Sequence, residues 1–136
     1  MRTVGLASLI VLLAVGAVVF VLAAGERQTL VVGLALAAVG LPMLVVSRIH
    51  LGRAFSVAPK ATTLVTTGVY SRIPHPMFAF LDLALLGAVI VLRMPWLILI
   101  WLALVLAHVW AATREAKVLE DAFGDAYRNY RAKTWW

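Results

Sequence analysis

Four apolar runs constrain this chain more than anything else in it. Residues 4–24 and 29–47 contain no charged side chain; residues 76–92 contain only Asp82, and residues 95–113 only His108, as ionisable groups. Wound into helices at 1.5 Å of rise per residue, runs of this length match a hydrocarbon layer of about 30 Å. The chain is 64% hydrophobic and 13% charged, against roughly 45–50% and about 25% for a soluble domain, so a water-exposed fold has nowhere to hide these runs. The expectation is a single all-α integral membrane domain over residues 1–136. Four transmembrane helices form two hairpins, followed by a C-terminal amphipathic helix.

The polar segments between the runs are sorted by charge. Arg2, the loop residues Arg48, Arg53, Lys60 and Arg72, and the tail residues Arg114, Lys117, Arg128, Arg131 and Lys133 fall on one side, while Arg27 and Arg93 fall on the other. That bias places both termini, the loop 48–75 and the tail 114–136 in the cytoplasm. It also explains the net charge of +6 without a nucleic-acid partner; anionic lipid headgroups are the simpler counterpart of the loop and tail cations. Arg2 ahead of the first run fits a signal sequence, but the run is too long for a signal core and a second follows at once, so a retained span is expected. Pro42 is a site for a kink in the second span. Trp96 and Trp110 suit the membrane interface, and Trp101 the bundle interior. In the tail, Leu119, Ala122, Phe123, Ala126, Tyr127 and Tyr130 recur at helical spacing between charges, the pattern of an amphipathic helix that continues the fourth span or lies on the surface.

Several chemistries are excluded by residue type. There is no cysteine, hence no thiolate nucleophile or disulfide. No glycine-rich phosphate loop is present, and His50, His75 and His108 lack the spacing of a zinc site. What remains is geometric. Counted back from the turn Arg93-Met94-Pro95, His75 lies about 27 Å along one helix and Glu115 about 31 Å along the other. Both therefore emerge at the loop face. His75, Phe78 and Asp82 share one face of the third span; His108, Ala112 and Glu115 share one face of the fourth. Asp82 and His108 are level, and ionisable groups at membrane depth call for a partner and a purpose. They could form a register-fixing pair, or serve a small four-span proton-coupled transporter or structural membrane subunit.

One longer pattern favours an enzyme. Gly68-Val69-Tyr70 followed by His75-Pro76-Met77-Phe78 resembles the G-x-Y-x-x-x-R-H-P-x-Y signature of isoprenylcysteine carboxyl methyltransferases and their phospholipid methyltransferase relatives. Leu51-Gly52-Arg53 and Leu64-Val65 resemble that family as well. In the tail, Glu115, Leu119, Phe123-Gly124, Tyr127 and Tyr130 resemble its E-E-x-x-L-x-x-x-F-G-x-x-Y-x-x-Y pattern. Pro74, Phe78 and Ala116 stand where the family usually has Arg, Tyr and a second Glu.

The resemblance implies S-adenosylmethionine as methyl donor, bound at the cytoplasmic helix ends without a dinucleotide fold, and a lipophilic or lipid acceptor entering from the bilayer. The cofactor-binding positions it implies are Leu64, Gly68, Tyr70, His75, Pro76, Glu115 and Tyr127. His75 and the loop backbone would take the methionine moiety, Glu115 the ribose hydroxyls or the amino group, and Tyr70 and Tyr127 the adenine or the sulfonium. The donor is already activated, so the protein's task is alignment and water exclusion. The catalytic candidates are Asp82, His108 and Arg114. An amine acceptor, unlike a carboxylate or thiolate, would call on Asp82 or His108 for its proton.

Overall fold

The computed structural model describes residues 2–52 and 63–135. Arg53 and Lys60, two of the loop cations counted above, lie outside the described residues. The described chain is all-helical: α1 (Arg2–Ala23), α2 (Glu26–Leu51), α3 (Pro76–Leu92), α4 (Leu97–Phe123) and α5 (Asp125–Lys133), with one short 3-10 turn at Gly68–Ser71. Three helices are long and apolar enough to cross a membrane: α1 from Gly5, α2 and α4. The apolar α3 has 17 residues, about 25 Å at the helical rise, the short end of what spans a bilayer. Large aliphatics point outward along these helices; Leu12 is 68% exposed and Leu99 is 71% exposed, as lipid-facing side chains would be.

Element boundaries follow the local chemistry. At the start of α2 the Gly25 N–H donates to the Gln28 side chain at 2.9 Å, and Thr29 Oγ1 donates to the Glu26 carbonyl at 2.9 Å. The helix runs through Pro42 and on to Leu51, beyond the expected end at residue 47. Its last turn carries Arg48 and His50, favoured near a helix C-terminus. Of the two arrangements expected for the amphipathic tail, its first part takes the one that continues the fourth run: α4 is continuous to Phe123. The helix stops only at Gly124, whose φ of 52° and ψ of −121° suit a residue without a Cβ. The amphipathic tail is therefore divided between the overhanging end of α4 and the separate helix α5.

α2 and α3 pack backbone to backbone. A Cβ on Gly33 would lie 2.6 Å from the Gly87 carbonyl oxygen, one on Gly87 2.5 Å from the Gly33 oxygen, and one on Gly40 2.7 Å from the Ala84 nitrogen. Such an approach is the way helices associate where lipid removes the hydrophobic driving force. α1 packs on α4, and its small residues Ala14 and Ala17, with Val21, share one buried apolar cluster with Leu86, Val89 and Ile90 of α3 and Ile98, Trp101 and Val105 of α4. Gly33 and Gly40 thus serve close contact, whereas Gly5 and Gly16 have nothing within 4 Å of where a Cβ would be.

Candidate functional site

The loop, the start of α3, the end of α4 and α5 meet at one end of the bundle. Pro76 occupies the first helical turn of α3, where a missing N–H costs nothing. His75 immediately precedes it, and its side chain does not cap the helix. The ring reaches across to α4, where Nδ1–H donates to Glu115 Oε2 at 3.1 Å. The imidazole is largely covered, 14% exposed, while the carboxylate is 40% exposed. Counting rises from the α3–α4 turn had put these two residues level, and they touch.

Three tyrosines lie close enough to Glu115 for its charge to act on each. Tyr70, on the 3-10 turn, is buried, as are Tyr127 and Tyr130 of α5. The Tyr130 hydroxyl donates to the Tyr70 carbonyl at 2.7 Å, and the Trp135 N–H donates to the Arg72 carbonyl at 2.9 Å. The tail is thereby sewn to the loop. The Tyr127 and Tyr130 rings lie 6.1 Å apart. Burial pushes the Tyr130 hydroxyl up to about 12 and raises Tyr70 and Tyr127 as well. The negative Glu115 carboxylate adds to the rise at all three. The Tyr127 Oη atom is buried and has no hydrogen-bond partner among the described residues, an arrangement that invites one.

A second polar rung lies deeper on the same helix pair. His108 Nδ1–H donates to Asp82 Oδ1 at 2.7 Å, with the side chains 19% and 14% exposed respectively. Trp101, buried as expected, donates its indole N–H to the Asp82 backbone carbonyl at 2.8 Å. Phe78 stands between the rungs. Its ring stacks on His108 at 4.9 Å and 12° and faces His75 at 6.3 Å and 26°. The α3–α4 seam thus reads Glu115, His75, Phe78, His108, Asp82, in one line of contacts.

Other residues singled out by sequence fall around this line. Leu64 is half-buried in the loop. Gly68, with φ at 61°, lies against the His50 ring: a Cβ there would be 2.8 Å from His50 Cε1. The close approach it permits is to that imidazole. Arg114 is exposed, with its guanidinium 4.7 Å above the Trp110 ring on the outer surface of α4. A shallow hollow of about 290 Å³ opens between loop and α5, lined by Thr66, Ser71, Ala126, Asn129, Tyr130 and Lys133. A larger one, about 370 Å³, lies at the α1–α2 turn, remote from the polar rungs, and is lined by Phe20, Arg27, Gln28, Val31 and Val32. His50 was not legible as a neighbour of this site, since no periodicity links α2 to the 3-10 turn. Tyr130 carried a signal, the three-residue spacing from Tyr127, though nothing in that spacing named Tyr70 as its partner.

The model of the family described as phospholipid methyltransferase matches residues 28–126. The chain belongs to that family. The match takes in α2, the loop, α3 and α4, with every rung of the α3–α4 seam inside it, and leaves α1 outside. Comparison with curated proteins found no match, and comparison with solved structures found none. For a phospholipid methyltransferase family member the bundle of apolar helices is the expected setting, and membership favours a membrane methyltransferase over the transporter reading of Asp82 and His108.

Proposed function

We propose that this protein transfers a methyl group from S-adenosylmethionine to a lipophilic acceptor at the cytoplasmic membrane face. On this reading α3 completes a four-span bundle, and both termini lie in the cytoplasm with the loop. The observation that carries the proposal is the contact between His75 and Glu115, 40 residues apart in sequence and 3.1 Å apart in space, amid three buried tyrosines. The residues present fit the cofactor. Glu115 offers a half-exposed carboxylate to hydroxyl or ammonium donors, Tyr127 an unpartnered buried hydroxyl, and the Tyr127–Tyr130 pair aromatic faces for a cationic sulfur or a base. Bound there, S-adenosylmethionine supplies an activated methyl group, so no protein nucleophile is needed.

The chain's own residues then have three tasks. Glu115 and His75 bind and orient as a hydrogen-bonded pair. The Tyr130-to-Tyr70 and Trp135-to-Arg72 bonds keep the loop against α5 and limit water. The seam between α3 and α4 admits an apolar acceptor sideways from the lipid. Alignment of this kind is worth roughly 7–11 kcal/mol of barrier. The acceptor's nucleophile is a carboxylate, an amine or a thiol on this reading.

The test is calorimetric titration of the purified protein with S-adenosylhomocysteine. Wild type should bind, and His75→Ala and Glu115→Ala should each weaken binding at least tenfold, about 1.4 kcal/mol. Absence of binding by wild type, or unchanged affinity in both variants, refutes the assignment.

A further inference from the structure

The two helices of the first hairpin part company beyond their turn. α1 packs on α4 and α2 on α3, and no seam of comparable extent joins α1 to α2. The hollow of about 370 Å³ opens in that gap, within the range of roughly 300–1,000 Å³ that ligand sites occupy. Its lining changes character with depth. Arg27 and Gln28 stand at the turn, and Val31, Val32 and Phe20 form the apolar wall, about 6–8 Å further along the helices. Phe20 is half-buried against the apolar cluster of α1, α3 and α4. The polar end offers donors only. Gln28 Oε1 accepts the Gly25 N–H at 2.9 Å, which leaves its amide nitrogen to donate. Arg27 has no hydrogen-bond or ion-pair partner among the described residues. Glu26 does not line the hollow, so no carboxylate there receives an ammonium group. Gly33 meets Gly87 and Val91, which puts the α3–α4 turn at this same end, with Arg93. Its buried Nη1 has no hydrogen-bond partner among the described residues. Two cations against Glu26 leave the end net positive.

We propose that the gap between α1 and α2 is a binding site for one anionic phospholipid of the leaflet opposite the His75–Glu115 pair. Its phosphodiester sits on the Arg27 guanidinium and the Gln28 amide, and one acyl chain runs along Phe20, Val31 and Val32. A guanidinium holds phosphate oxygens through paired N–H donors. A headgroup with its own ammonium finds no partner at this rim, so a lipid of net negative charge is preferred. The chain covers the apolar wall that the missing α1–α2 seam leaves open. The lipid therefore does for α1 and α2 what the glycine contacts do for α2 and α3, and binding stabilises the folded bundle by mass action. Phe20 and Arg27 lie outside the residues that match the family, 28–126. The proposal is independent of the methyl-transfer reading, since it rests on the first hairpin alone.

The experiment uses the full chain in detergent with added phosphatidylglycerol. Native mass spectrometry reads how much lipid is retained, and a phosphatidylglycerol with a photoactivatable acyl chain reads where. Wild type should retain one phosphatidylglycerol in preference to phosphatidylcholine, and the label should fall on the peptides holding Phe20, Val31 and Val32. Arg27→Gln should weaken retention about tenfold and erase the preference. Val31→Trp, at an exposed position, should fill the gap and abolish the label, with circular dichroism confirming that both variants keep their helix. Lys117→Gln removes a cation at the opposite end of the bundle and should change neither readout. Glycerol phosphate, a headgroup without chains, should not displace the lipid. Equal retention of the two lipids by wild type, label confined to other helices, or wild-type retention in both Arg27→Gln and Val31→Trp overturns the proposal. A loss in Lys117→Gln as large as that in Arg27→Gln also overturns it, in favour of unspecific attraction. Displacement by glycerol phosphate overturns it in favour of a site for free phosphate esters.

Discussion

The two faces of α3 are built on opposite rules. Toward α2 it offers Gly87 and Ala84, and the partner helix answers with Gly33 and Gly40, so that main chains almost meet. Toward α4 it offers His75, Phe78 and Asp82, and the partner answers with Glu115, His108 and Trp101 through hydrogen bonds and stacked rings. The first seam is specified by absence of side chain and tolerates no added atom. The second is specified by polar pairs, which hold register while leaving lone pairs and edges available. One helix thus has a face that fixes its position and a face that can do chemistry.

The largest effect expected from this contrast is on the glycine seam. Gly87→Val places a branched side chain where even a Cβ is 2.5 Å from the Gly33 oxygen. The helices must separate, and overpacking of that kind costs about 1–3 kcal/mol or more. Thermal unfolding in detergent should fall steeply; a transition unchanged from wild type would show that the seam is not close-packed. Substitutions in the polar seam should do the reverse. Glu115→Gln keeps the shape and one acceptor oxygen, so unfolding should shift by less than about 1 kcal/mol, yet affinity for S-adenosylhomocysteine should drop severalfold or more. Equal loss of stability in the two variants would erase the distinction between the seams.

A smaller effect is expected where the tail joins the loop. Tyr130→Phe removes the donor to the Tyr70 carbonyl and should cost about 1 kcal/mol, read as earlier proteolysis of the loop and α5 with the α2–α3 transition unmoved. The last is a pH effect on the same latch. With an ordinary tyrosine value of 10.0 unfolded and about 12 folded for Tyr130, the folded state holds its proton longer. Its contribution is therefore constant below pH 10 and is lost as pH rises from about 10 to about 12. Tyr70 and Tyr127, also raised, act in the same direction. Latch opening followed by tyrosinate absorbance should track that window and should be shifted in Tyr130→Phe.

What the sequence disclosed follows the same division. Pairs across the α3–α4 hairpin could be foreseen, because a tight turn fixes the register and the helical rise does the rest: His75 with Glu115, Asp82 with His108. The third run ended where expected, at Leu92, because Arg93-Met94-Pro95 stops it. The helix of the second run goes on to Leu51, and that of the fourth goes on into the amphipathic tail as one of the two expected arrangements, because apolarity marks the lipid, while hydrogen bonding decides where a helix stops. His50 against Gly68 could not be foreseen, since no repeat connects them. Nor could the partner of the Tyr130 hydroxyl, a backbone carbonyl that carries no residue identity.

The bond from Tyr130 to Tyr70 spans 60 positions. At ribosomal speeds of about 5–20 residues per second, the segment around Tyr70 waits roughly 3–12 seconds for its fastener to be made, while α3 and α4 are already entering the lipid. The hairpin is therefore laid down before its fastener exists, and the junction of loop and tail is the last part of the molecule to be assembled.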